Sequence, residues 1–68
     1  MKLFDVPCSS TIRVLENPRM PPESYSVSIG EEIKFIHLDG MYSLCKNKDG
    51  EFVHLAAWTE VEIIKEKP

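Results

Sequence analysis

Long apolar runs are missing from this 68-residue sequence. No stretch approaches the ~18 consecutive apolar residues that cross a bilayer as a helix, so a membrane-spanning helix is excluded. An export signal is not expected either, because Met1-Lys2-Leu3-Phe4-Asp5 puts no apolar segment behind its lysine. Basic excess is lacking too. Eight Lys and Arg against eleven Asp and Glu leave a net charge of −3. The basic residues are dispersed, which argues against a surface built to neutralise duplex phosphates. Cysteine is scarce. Cys8 and Cys45 stand far apart without C-x-x-C spacing, so they are expected to stay reduced in a cytoplasmic setting. Helical periodicity is also absent, since no segment keeps an apolar 3.6-residue period over the roughly ten residues a helix needs.

What remains is a chain that is 43% apolar at modest charge, too apolar for disorder. It is long enough for one domain. A domain of this size buries only about 60% of the surface its unfolded chain exposes. Its core supplies a net ~3–5 kcal/mol.

Turn residues divide the chain. Asn17-Pro18-Arg19-Met20-Pro21-Pro22-Glu23-Ser24 holds three prolines in five residues, which forbids a helix or a central strand and predicts a stiff loop. Strands are predicted at Thr11–Leu15, Ser26–Ile29, Glu32–Leu38, Met41–Lys46, Glu51–Leu55 and Glu60–Ile64, from alternation and β-branched content. Asp39-Gly40 and Asp49-Gly50 mark two hairpin turns. Ala56-Ala57-Trp58-Thr59 suits a short 3₁₀ turn before the last strand. With two-residue turns at both Asp-Gly pairs, Ile33, Phe35, Tyr42, Leu44, Val53 and Leu55 share the core face. Ile36, Leu38, Met41, Cys45, Phe52 and His54 then take the other face. A three-residue second turn would flip the last of these strands.

Short strands without helices must hide their edges, which favours a small bent barrel. Ile29-Gly30-Glu31-Glu32-Ile33-Lys34-Phe35 is similar to the turn and strand of SH3 domains, and Leu55 through Ile64 to their closing segment. The chain therefore resembles an SH3-like barrel over residues 11–64. That implies an all-β fold of five or six strands with a long proline-containing loop and a 3₁₀ turn before the last strand. Residues 1–10 form an N-terminal segment able to add a strand, and 65–68 a charged tail. The tyrosines that SH3 domains use against proline-rich peptides are absent from Ile12-Arg13-Val14-Leu15, so the resemblance extends to fold and not to polyproline binding. In its short, accessory character the chain is similar to the small proteins that tailed phages encode.

Chemistry is sparse. Cys8, His37, Cys45 and His54 are zinc-ligand types, but the expected register sends His37 away from the Cys45–His54 pair. Ser9 and Ser10 lie in a loop without a glycine elbow, and Asp39 and Asp49 are accounted for by turns. A barrel this small is filled by its own side chains, so neither an enzyme nor a cofactor is expected. Binding is the expected activity. Met20, Pro21, Pro22, Tyr25, Met41 and Trp58 are the candidates for a protein partner or for self-association. Trp58 serves either there or as a plug of the barrel end. The alternative is nucleic acid stacked on Tyr42 and Phe52 with Lys46 and Lys48.

Overall fold

A computed structural model describes residues 1–65; residues 66–68, most of the expected tail, lie outside the described residues. Alternation in Thr11-Ile12-Arg13-Val14 produces β1 (Thr11–Val14), which turns Ile12 and Val14 into the core. Four further strands follow: β2 (Glu32–Asp39), β3 (Tyr42–Lys46), β4 (Phe52–Val53) and β5 (Val61–Lys65). They form one antiparallel sheet in the order β4-β3-β2-β1-β5. The fold is all-β, and the sheet is open: β4 and β5 are its edges and do not pair with each other. Among the described residues no helix is long and apolar enough to cross a membrane.

Every strand contributes to a single core. Ile12 and Val14, Ile33 and Phe35, Cys45, Val53 and Val61 pack with Leu3, Val6, Val27 and Leu55. The N-terminal segment reaches this core through a 3₁₀ turn at Leu3–Asp5 and one bridge, Lys2 to Glu60, rather than through an added strand. Leu3 is fully buried.

Five strands form, within the expected five or six and one fewer than the six segments patterned as strands. Ser26–Ile29 is not a strand, because a turn cuts it: the Glu31 amide donates to the Ser28 carbonyl at 3.1 Å and Gly30 takes φ +89°. Val27 is consequently buried, whereas Ile29 faces solvent. Residues 15–31 thus run without strand from β1 to β2. The short turn expected at Ala56–Thr59 is present as a single turn, closed by the 3₁₀-type bond from the Thr59 amide to the Ala56 carbonyl at 3.0 Å.

The expected register of β3 is corrected. Asp39 pairs with Tyr42, so the turn residues are Gly40 and Met41. Gly40 has φ +66° and Met41 has no positive φ, the pattern of a turn with glycine first. A turn centred on Asp39-Gly40 would have forced Asp39 into the left-handed region as well. A bulge at Ile36 then brings Phe35 opposite Cys45 and leaves His37 opposite Leu44. Cys45 and Ser43 therefore face the core, while Tyr42 and Leu44, expected inside, lie half-buried on the outer face.

The second hairpin is a three-residue loop, Lys48-Asp49-Gly50, with Gly50 at φ +83°. Asn47 holds it: its Oδ1 accepts from the Asp49 and Glu51 amides at 3.0 and 2.9 Å. This second shift offsets the first, so Val53 and Leu55 still point inward, as expected.

Candidate functional site

A buried polar contact fixes the chain just beyond β4. The Ser43 hydroxyl accepts from the Leu55 amide at 3.1 Å and donates to the Leu55 carbonyl at 3.0 Å. Tyr42 then bridges Ala56, and the Ala56 amide donates to the Arg19 carbonyl at 2.9 Å. The buried Thr59 hydroxyl donates to the Ala56 carbonyl at 2.7 Å and locks the turn that carries Trp58.

Ala57 joins three chain segments at this turn. Its amide donates to the Met41 carbonyl at 2.8 Å, and its carbonyl accepts from the Phe4 amide at 2.9 Å. Leu3, next to Phe4, donates to the Thr59 carbonyl at 2.9 Å. The side chains that emerge from these adjacent positions are large, apolar and solvent-facing: Phe4 is 51% exposed, Met41 64% and Trp58 43%. Trp58 is therefore not a core plug. Asp5 and Asp39 flank Phe4 and the Met41 turn, and neither makes an ion pair among the described residues. Beside them, Glu60 receives the N-terminal ammonium and Lys2. Those two contacts, the ammonium first, hold the Glu60 carboxyl below its ordinary pKa.

The remaining candidates scatter. Met20 is half-buried and packs against the core. Pro21 lines an open depression of about 220 Å³ with Glu23, Asp39, Tyr42 and His54. Pro22, next to Pro21, is exposed. Tyr25 lies beside β4, where its amide donates to the Phe52 carbonyl at 3.4 Å. Met41 and Trp58 lie on two segments joined by the hydrogen bond between the Ala57 amide and the Met41 carbonyl. Phe4, which joins them, was not distinguishable by sequence from a residue of an added strand.

At the other end of β3, Lys46 lies opposite Lys34 on one side and opposite Phe52 on the other. The Lys46 ammonium sits 5.3 Å from the Phe52 ring centroid. Thr11, Lys34, Lys46, Asn47 and Lys48 line a second open depression of about 300 Å³ with Glu32 and Ile33. Arg13 draws Glu32 and Glu62 together, and these two carboxylates raise the pKa of its guanidinium. Tyr42, expected with Lys46, Lys48 and Phe52, sits at the far end of β3 from them.

Cys45 and His54 do not face each other as expected. Val53 stands opposite Cys45, and His54 turns outward with its Nδ1 3.0 Å from the Ser43 carbonyl. Both cysteines are free thiols, with Cys8 exposed and Cys45 buried. Burial pushes the Cys45 thiol up to about 11.

No protein-family model matches the chain, and neither a curated protein nor a solved structure is significantly similar to it.

Proposed function

We propose that this chain is a non-enzymatic binding module that docks a protein partner on Phe4, Met41 and Trp58. The observation that carries this reading is that backbone bonds at Ala57 join the three segments that carry these three exposed large apolar residues. Aromatic residues and methionine are the types enriched at interface centres. An interface of ordinary size takes about 800 Å² from each partner. The whole accessible surface here is 4200 Å², so such a partner covers this entire end of the domain. Asp5 and Asp39 at the margin, unpaired among the described residues, favour a partner segment with basic residues beside apolar ones.

The same reading takes the fold as SH3-like. Its support is the strand order β4-β3-β2-β1-β5, the long irregular connection from β1 to β2, and the turn before β5. All five strands also feed one core, as a curled sheet requires. Polyproline docking is not part of the proposal, because β1 offers Ile12-Arg13-Val14 without a tyrosine.

The test is affinity capture from lysate by the wild type and by Phe4→Ser, Met41→Ser and Trp58→Ser, with circular dichroism as the folding control. A protein held by the wild type and lost by all three folded variants is the expected result. Capture that survives all three removes the reading. Sedimentation of the pure chain separates a foreign partner from a second copy.

A further inference from the structure

The outer face of the sheet carries a row of residues that the protein-docking reading does not use. Across the strands, Thr11 of β1 stands opposite Lys34 of β2, Lys34 opposite Lys46 of β3, and Lys46 opposite Phe52 of β4. Like charges directly opposite one another in a sheet are destabilising. Neither Lys34 nor Lys46 is relieved by an ion pair among the described residues. The acid beside them, Glu32, is engaged by Arg13 at 2.9 Å. Lys48 and Asn47, from the loop after β3, close the same depression of about 300 Å³ as Thr11, Lys34 and Lys46. The Asn47 carboxamide is committed to Glu51 and the loop amides, which leaves three ammonium groups and the Thr11 hydroxyl around one open hollow whose single carboxylate, Glu32, is engaged by Arg13; that is the complement of a phosphate group.

We infer that this hollow binds the phosphates of single-stranded nucleic acid, with a base stacked on Phe52. The aromatic neighbour decides between phosphate sources. Phe52 is 48% exposed, lies next to the hollow, and already carries the Lys46 ammonium over its ring. A lipid headgroup or a free phosphate has no use for that ring, whereas an unpaired base stacks on it. Duplex is disfavoured, because three lysines on a chain of net charge −3 cannot follow an extended phosphate backbone. Tyr25, bonded through its amide to the Phe52 carbonyl and itself exposed, extends the stacking surface.

The test is fluorescence anisotropy of a labelled oligothymidylate about a dozen nucleotides long, from about 20 to about 200 mM salt. Three phosphate contacts on a single strand predict a slope of log affinity on log salt of about −2. Lys34→Gln, Lys46→Gln and Lys48→Gln together are expected to flatten the slope and weaken binding at least ~10-fold at low salt. Phe52→Ala is expected to keep the slope and lose about 10-fold in affinity. The Lys→Arg triple variant, which keeps the charges, is expected to bind. All these positions are solvent-facing, and circular dichroism confirms the fold. Binding that is absent at low salt, insensitive to salt, or unaffected by Phe52→Ala overturns the inference. So does equal competition by pyrophosphate, by vesicles rich in phosphatidylglycerol, or by duplex of the same length. A separate reading needs no ligand: Lys34→Gln should raise the melting temperature at low salt, and a fall would contradict the unrelieved lysine pair.

Discussion

Leu3 and Phe4 are neighbours with opposite fates, and substituting each in turn tests the N-terminal segment as a structural element. Leu3 is fully enclosed by the core, whereas about half of the Phe4 surface is in water. Truncating a fully buried leucine costs about 2–5 kcal/mol, because the lost burial is joined by a cavity. Removing a half-buried ring costs about 1 kcal/mol, half of the value for full burial. A domain of this length has a total stability of only ~3–5 kcal/mol. Leu3→Ala should therefore remove most of the cooperative urea transition, while Phe4→Ala should leave it readily measurable. Leu3→Met, which conserves volume, should lose less than about 1.5 kcal/mol and show that the filled space is what matters. Urea unfolding followed by circular dichroism gives all three values. Equal losses for Leu3→Ala and Phe4→Ala, or a Leu3→Ala loss below ~1 kcal/mol, would refute the docking of this segment into the core.

Other outcomes follow from the same packing. Ser43→Ala strands the buried Leu55 amide and should cost about 1–3 kcal/mol by urea unfolding. Asp39→Gly should destabilise by about 0.5–1 kcal/mol, because Asp39 is a paired strand residue; a gain would restore the turn centred on Asp39-Gly40. The Cys45 thiol titrates near 11 in the fold against an ordinary 9.0. Its stabilising contribution is thus complete below pH 9.0 and lost as the pH rises towards about 11. That loss reaches at most ~3 kcal/mol. The difference between the wild-type and Cys45→Ala stability profiles over that range isolates it, and parallel profiles would contradict it.

Alternation and turn chemistry made most of the strands legible in the sequence. Thr11–Val14, Glu32–Asp39 and Val61–Lys65 lie where patterning places them. The register of β3 was not legible, because it depends on which turn residue takes positive φ and on a bulge that no composition announces. The apolar doublet Phe35-Ile36 was its trace: a strand with one wet face has no reason to place two apolar residues in succession unless it is bulged. That miss concealed the basic row. The expected register put Lys34 opposite Cys45, and only the bulge sets it opposite Lys46. For the candidate docking surface, Met41 and Trp58 were recognisable as apolar residues in turns. Phe4 was recognisable only as part of a spare apolar segment, since its place beside them follows from a backbone bond to Ala57, more than fifty residues away. The half-burial of Met20 was not legible for a related reason: its proline-flanked segment packs back against the core.

Strand β3 runs from the Met41 turn to Lys46. Its five residues separate the apolar end from the basic end by about 17 Å, at roughly 3.3 Å per residue. Counter-ions at physiological salt screen charge beyond about 8 Å, and at a tenth of that salt only beyond about 25–30 Å. Occupants of the two ends would thus be electrically independent under cellular conditions and coupled in dilute buffer. Any cooperation between them that persists at physiological salt has to pass mechanically along β3, whose two flanking turns fix how far it can slide.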